Sequence, residues 1–419
     1  MAHLLIIDLP GGNDTDILEA ALNLEHDFSF LSADIDLYMS QPQVAAYLER
    51  AHQLLAVPDI DYEAIEDKVL QLHEKNSIDA VICLIDIRLI EASKLAQRLN
   101  LHFLNPASAL LLRDKFKVRS RLAQCGIKQE DFALAETTQE LKQAVEKLGL
   151  PLLIKPVDGY GSQNIVSLLE LADLEPWINP LEHLLPSHAE YGLGVKANDR
   201  LLVERYMEGE LIGCDTLTTN GEHQLLGVNQ KRMFAPPSFA IQGGCFTPRN
   251  AKHADLERYV FDILDAVDFN WGAAHIELMV TAEGPRLVEI NPRLVGAKIA
   301  RLVGYAMNRS IYEDLIMLHL GRWQATEMDQ HPEQVAVTRW ITASQAGTME
   351  AIDLPVWTDP GLRCVEMLKK PGDHVVPPYE NADRLGYVMT CCSSRREAEM
   401  LADRFVSEVR VQLSEADFT

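Results

Sequence analysis

Glu277 and Glu289 are the residues in this chain with the clearest chemical potential. They lie in the run AAHIELMVTAEGPRLVEINPR, residues 273–293. A hairpin turning at Glu283 sets Glu277 directly across from Glu289. Strand parity then places His275, Glu277, Met279, Leu287, Glu289 and Asn291 on one face, with Ile276, Leu278, Val288 and Ile290 on the other. Opposed carboxylates repel, which a solvated hairpin face could tolerate. The flanking Met279 and Leu287 argue against simple solvation. With Asn291 the row offers three oxygen donors on a rigid ladder. Such a set suits Mg²⁺, which takes one or two carboxylates and adds phosphate oxygens. Arg293 follows, where a fixed guanidinium could meet a carboxylate or a phosphoryl group. The expectation is a metal–nucleotide site.

A second group of residues could hold phosphates. The loop Asp158-Gly159-Tyr160-Gly161-Ser162-Gln163 follows a strand that ends in Lys155-Pro156. Glycines let backbone N–H groups turn toward phosphate oxygens. Alone, such a loop is commonly just a hairpin turn. No GxxxxGK[ST] sequence occurs, so Lys155 would have to reach the phosphates from its strand. Lys115, in the helix-forming run Arg113–Lys117, is by itself an ordinary solvated cation.

The elements that must carry these residues follow from apolar runs and their punctuation. Strand candidates at His3–Leu9, Phe28–Leu31 and Ala80–Ile85 alternate with helical stretches at Thr15–Leu24 and Glu91–Leu99, which argues for a parallel sheet. The loop PGGND is not GxGxxG, so no dinucleotide site is expected there. Asn105-Pro106 marks a boundary, Ala107–Leu122 reads as helix, and residues 172–198 read as a loop-rich connection. Leu201–Glu204 and Cys214–Thr218 read as strands. Lys231–Pro248, rich in Pro and Gly, is expected to be an irregular site loop. Helices are expected over Ile311–Leu320 and Arg396–Val409, and strands over Val335–Ile341 and Leu385–Thr390.

Composition excludes several classes. The 419 residues are 47% hydrophobic and 24% charged, the balance of a folded globular protein rather than a disordered one. With 38 basic against 62 acidic residues the formal charge is −24, which disfavours nucleic acid and anionic membranes as general partners. No run approaches the ~20 apolar residues of a membrane span. The seven cysteines are scattered without CxxC or Cys/His metal spacing, and no signal peptide is read at the start. A reducing cytoplasm is the expected compartment.

Lys115, Lys155, the loop DGYGSQ, the segment Val203-Glu-Arg-Tyr-Met-Glu-Gly-Glu210 and the pair Glu277…Glu289-Ile-Asn-Pro-Arg293 occur in an order and spacing that resembles the ATP-grasp ligases over about residues 105–296. The run KKPGDHVVPPYENADRLGYV is similar to the tail of the carboxylate–amine ligases. The resemblance implies an α/β chain, α+β in parts: a Rossmann-like pre-ATP-grasp domain over 1–110, a small ATP-grasp subdomain with the glycine loop over 111–200, a large subdomain with the hairpin over 201–325, and a C-terminal accessory region over 326–419. It implies ATP with one or two Mg²⁺ ions, Mn²⁺ being able to substitute. Lys115 and Lys155 would contact the phosphates, with Gly159, Tyr160, Gly161 and Ser162 closing over them. Glu204 and Met207 would supply hinge backbone groups to adenine, Glu210 would take the ribose hydroxyls, and Met279 and Leu287 would pack under the base. Glu277, Glu289 and Asn291 would hold the metal.

The implied chemistry joins two small molecules. A substrate carboxylate attacks the γ-phosphate, and an amine displaces phosphate from the resulting acyl phosphate, with Arg293 and Lys155 as the catalytic cations. Lys231, Gln242, Cys245, His275, Arg293 and Gly296 would line the substrate site. The segment Lys231–Pro248 resembles the substrate loop of the L-amino-acid ligases, the dipeptide-forming branch of bacilysin and dapdiamide biosynthesis. Relatives often carry Glu and His where this chain has Gln242 and Cys245. Neutral Gln242 removes a partner for a substrate ammonium, which makes an acylated or amide-bearing donor more plausible. Cys245 also reads as a small buried hydrophobe. Homodimers are common in the family. Alternatives are an ATP-grasp ligase for a purine precursor or bicarbonate, a kinase, and an inactive nucleotide-binding module.

Overall fold

The computed structural model describes residues 1–57, 62–159, 165–170, 200–235, 240–296, 298–325, 334–379 and 381–414. Strands β1 (His3–Ile7), β2 (Asp27–Ser32), β3 (Gln53–Ala56) and β4 (Ala80–Cys83) form a parallel sheet in the order β3-β2-β1-β4. β1 is apolar on both faces: Leu4 and Ile6 enter one core, Leu5 and Ile7 another. That is what a parallel sheet covered on both sides requires. The helix Asp16–Asn23 follows β1, and a short turn Asp86–Arg88 leads from β4 into the helix Leu89–Arg98.

A second sheet holds the strand-borne lysine. It comprises β5 (Phe132–Ala135), β6 (Leu152–Pro156), β7 (Val166–Leu168) and β8 (Leu201–Arg205), all antiparallel, in the order β5-β8-β6-β7. The helix Thr138–Leu148 covers it through Leu141, Ala144, Val145 and Leu148. A capping box between Thr137 and Glu140 starts that helix by satisfying orphan N–H groups at its first turn.

The remaining strands are β9 (Glu210–Thr219), β10 (Glu222–Met233), β11 (Ile241–Pro248), β12 (Gly272–Thr281), β13 (Gly284–Asn291), β14 (Val335–Ile341), β15 (Gly347–Asp353), β16 (Leu362–Met367), β17 (His374–Val375), β18 (Gly386–Cys392) and β19 (Arg410–Ser414). Eight of them make one antiparallel sheet, β13-β12-β9-β10-β11-β14-β18-β16, while β17-β15-β19 form a small separate one. The hairpin therefore occupies one end of the long sheet, and C-terminal strands complete the other end. Leu201–Arg205, placed by sequence with the large subdomain, pairs instead within the sheet that carries Lys155.

The expected irregular loop over Lys231–Pro248 is mostly strand. β10 continues to Met233 and β11 begins at Ile241, so the connection shrinks to 234–240, of which 236–239 lie outside the described residues. Gly243 and Gly244 are strand residues chosen for close approach. A Cβ at Gly243 would stand 2.4 Å from the Thr338 carbonyl oxygen, and one at Gly244 would stand 2.7 Å from Asn229 Oδ1.

Asp14 and Asp16 sit buried where the first helix meets the helix Ile299–Met307. Arg301 binds the Asp16 carboxylate. Burial and the neighbouring Asp16 charge push the Asp14 carboxyl up to about 6. Its folded value thus exceeds the unfolded one, so the folded chain holds a proton between roughly pH 4 and 6 that the unfolded chain releases, and stability falls as pH rises through that window. Asn keeps the acceptor that Asp14 offers to the Asp16 N–H. Asp14→Asn is expected to stabilise the protein at pH 8 by on the order of 2–3 kcal/mol and to have little effect near pH 4. Melting curves at the two pH values check this; equal shifts at both would contradict it.

Candidate active site

In the β12/β13 ladder His275 faces Asn291, Ile276 faces Ile290, and Glu277 faces Glu289. Each carboxylate has its own lysine. Lys115, the first residue of the helix Lys115–Gln124, places Nζ 2.8 Å from Glu289 Oε1 and also donates to the Gly159 carbonyl. Lys231, from β10, donates to Glu277 Oε1. The repulsion between opposed carboxylates is thereby offset from two sides. Burial alone would raise the Glu277 carboxyl, but Lys231 and His275 hold it well below the usual carboxylate range.

Beneath this pair lies a buried ion triad. Glu204 on β8 accepts from Arg119 Nε at 2.5 Å and pairs with Lys155 Nζ at 2.7 Å, all three side chains being at most 5% exposed. Arg119 and Lys155 also donate to the Val288 carbonyl, at 2.9 and 3.2 Å. Arg119 stands four residues after Lys115, one helical turn along the same face, and that spacing was the available signal for it. Burial would raise Glu204, but Arg119 and Lys155 hold it at about 2. For Lys155, desolvation outweighs Glu204 and lowers the ammonium below its ordinary value.

His275 is fixed rather than free. Its Nδ1 lies 2.8 Å from Asp215 Oδ1, and its Nε2 lies 3.4 Å from Glu277 Oε1. Asp215 stands opposite His275 across the β9/β12 ladder. Burial disfavours the charged ring, yet the two carboxylates raise its pKa above the ordinary value. Gly213 makes room for this imidazole: a Cβ there would come within 2.4 Å of His275 Cε1. Gly213→Ala is expected to displace the ring and cut turnover about tenfold or more while the protein stays folded, since misplaced catalytic geometry is costly. Steady-state rates with a thermal melt check it; an unchanged rate would contradict the fixed-ring assignment.

Arg293 is anchored by a residue from the first sheet. Its Nε and Nη2 lie 2.7 and 2.6 Å from Asp86 Oδ2, and its Nη1 donates to the Leu294 carbonyl at 3.0 Å. Burial opposes the guanidinium charge, but Asp86 raises its pKa. Asp86 was missed by motif reading. Its signal was its place just beyond the carboxyl end of a parallel strand, where open α/β sheets bind ligands. Gly296 lies three residues on, its carbonyl accepting from Ile299 N at 3.1 Å.

Two sequence assignments need correction. A β-bulge between Glu277 and Leu278 shifts the register, so Leu278 pairs with Leu287 and Met279 with Arg286. Leu287 therefore leaves the carboxylate face and packs with Ile276, Leu278 and Ile290 in the core, while half-buried Val288 is the unpaired residue. Met279 stays half-buried. Cys245 is also not at the site: it is buried with Val335, Val337, Val388, Ala398, Ala402 and Phe405, and burial pushes its thiol up. Gln242 is the extra residue at the bulge between the pairs Arg232–Gly243 and Met233–Ile241. Glu210 opens β9, accepting from Gln230 Nε2 at 2.8 Å, and Met207 is half-buried between β8 and β9. Tyr160, Gly161 and Ser162 lie outside the described residues; Gly159 is buried.

The donor set fits a hard cation. Among the described residues no three His, Cys, Asp or Glu side chains converge to hold a metal alone. Glu277, Glu289 and Asn291 are oxygen donors that would leave coordination positions for phosphate, as Mg²⁺ prefers.

Comparison with known proteins gives the arrangement its context. Residues 148–301 match the family described as ATP-grasp domain, and residues 339–414 match the L-amino acid ligase C-terminal domain 2. The L-arginine-specific L-amino acid ligase of Bacillus subtilis is 25% identical over 70% of this chain and 70% of its own length. The chain is an ATP-grasp carboxylate–amine ligase. An uncharacterized protein of Sinorhizobium fredii is 26% identical to this ligase over 98% of the chain and 83% of its own. The crystal structure of an L-amino acid ligase from Bacillus licheniformis shares the ligase's fold at a TM-score of 0.79, covering 99% of both chains at 21% identity. Among the described residues of the ligase no helix is long and apolar enough to cross a membrane.

Proposed function

We propose that the ligase joins an amino-acid-like carboxylate to the amine of an amino acid through an acyl phosphate, releasing ADP and phosphate. The observation that carries this reading is the opposed pair Glu277 and Glu289, each already held by its own lysine. Glu277, Glu289 and Asn291 would hold one or two Mg²⁺ ions, which supply charge neutralisation between triphosphate and attacking carboxylate. Lys115 and Lys155 bind phosphate oxygens. Lys115 exchanges its contact with Glu289 for the nucleotide, and Lys155 is kept in place by Glu204. The backbone of 204–207 takes adenine over Met279, and Glu210 takes the ribose.

Arg293, held by Asp86, faces the carbonyl and stabilises the oxyanion that forms when the amine attacks, an effect worth roughly 3 kcal/mol for one donor. His275, oriented by Asp215, keeps Glu277 aimed. Lys231, His275, Gly296 and the bulge residue Gln242 border the substrates. Closure of the Gly159–Ser162 loop would exclude water from the acyl phosphate.

Phosphate release from ATP and Mg²⁺ across a matrix of carboxylates and amino acids, with product masses recorded, tests the reading. Release that needs both partners and yields a condensed mass is expected. ADP formation without condensation across the matrix would overturn it in favour of a kinase.

A further inference from the structure

The cations already described around the carboxylate pair have carboxylate partners: Lys115 with Glu289, Lys231 with Glu277, Arg119 and Lys155 with Glu204, Arg293 with Asp86. Arg384 differs. Its guanidinium carbon lies 3.6 Å above the centre of the Trp340 ring, and its Nε donates to the Asn381 carbonyl at 2.7 Å. Among the described residues no carboxylate forms an ion pair with it. Burial lowers its pKa to about 10, with no acid among the described residues opposing the shift. A desolvated cation without an anion is costly unless a ligand completes it.

Its position faces the reaction. Lys231 pairs with Gly244, and Gly244 pairs with Thr338. Trp340 stands two residues beyond Thr338 and so shares its sheet face, the one from which Lys231 reaches Glu277. Two strand spacings, about 10 Å, separate β10 from β14. Gly244, without a side chain, admits the Asn229 carboxamide between them. Two polar atoms there, Asn229 Oδ1 and Thr338 Oγ1, have no hydrogen-bond partner among the described residues although their residues are 3% and 1% exposed. Asn381 also accepts from Ile241 N at 3.0 Å, which ties the Arg384 turn to the start of β11 beside Gln242.

We propose that Arg384, laid on Trp340, binds the carboxylate of the amine-bearing substrate. The proposal rests on the ligase reading above. The nucleotide phosphates and the reacting carboxylate are accounted for at the other end of the sheet by Lys115, Lys155 and Arg293. The one carboxylate left in the reaction belongs to the acceptor amino acid. A planar guanidinium offers it two parallel N–H donors, and the indole face keeps those donors oriented. Asn229 and Thr338 supply polar contacts along the floor.

The test compares an acceptor amino acid with its own amide, which keeps the nucleophilic amine and lacks the carboxylate. In the unaltered enzyme the amide should show a KM roughly 10- to 100-fold higher. Arg384→Gln should raise the KM for the free amino acid by a similar factor and leave the KM values for the amide and for ATP within about twofold. Arg384→Lys should recover part of the loss. If Arg384→Gln retained the full preference for acid over amide, the proposal would be overturned. Should that variant not fold, the unaltered enzyme still decides: equal use of acid and amide overturns the proposal, and a strong preference for the acid upholds it. Absence of any condensed product from the unaltered enzyme is a different result, overturning the ligase reading itself and this proposal with it.

Discussion

Glu289→Gln is expected to lower ATP turnover by about three orders of magnitude while leaving the fold intact. The change is isosteric and half-buried, and the backbone of β13 is unaffected. On the proposed function it removes one of two anionic metal ligands, and with it the charge that pairs with Lys115, whose Nζ lies 2.8 Å from Glu289. Metal charge stabilisation of a phosphoryl transfer is worth several kcal/mol, about 1.4 for each tenfold in rate. Phosphate-release rates, with a melting curve to show an intact fold, check the result. Near-normal turnover would remove Glu289 from the metal set.

The second large effect concerns stability. Glu204→Gln leaves Arg119 and Lys155 as buried cations without a counter-charge, which should cost about 3–5 kcal/mol. Linkage gives a similar size independently. Burial opposes the Glu204 charge, but the two cations depress its pKa from 4.5 to about 2, so the stabilisation is present above roughly pH 4.5 and is lost as pH falls toward 2. At 1.36 kcal/mol for each pH unit this is about 3 kcal/mol. Acid unfolding of the native protein should therefore show a loss below pH 5 that Glu204→Gln lacks. Removing Lys155 as well, by Lys155→Met, should cost less than the two single changes summed, because the triad acts as one unit. Simple additivity would contradict the coupling.

What could be read from the sequence divides along a physical line. Local periodicity was enough for the parallel strands at residues 3, 28 and 80, whose apolar runs are buried on both faces. It gave Glu277 opposite Glu289, although the turn pairs Thr281 with Gly284, one step from a turn centred on Glu283, and only the bulge at Val288 restores that pairing. It failed one residue later. A bulge adds a residue without leaving a mark in the pattern, so Leu287 was assigned to the wrong face. Gly243 and Gly244 read as loop because their real constraint, a neighbouring strand's carbonyl and the Asn229 side chain, comes from across the sheet.

The supporting residues were harder still. Asp86 reaches Arg293 across 207 positions, and Asp215 reaches His275 across 60. Neither contact has a local signature. Arg119, by contrast, was within reach, since it follows Lys115 at helical spacing. Cys245 shows the reverse case, in which resemblance placed a residue at the substrate and packing assigns it to a core.

The most direct test of the account follows oxygen. A donor labelled with ¹⁸O in both carboxylate oxygens is incubated with ATP, Mg²⁺ and the acceptor, and the phosphate released is weighed by mass spectrometry. Attack of the carboxylate on the γ-phosphate leaves one ¹⁸O bridging carbon and phosphorus, and amine attack at the carbonyl carries it away with phosphate. Acyl-phosphate chemistry predicts one ¹⁸O in each phosphate and none in the nucleotide. Label in AMP, or unlabelled phosphate beside a fully formed amide, would contradict it.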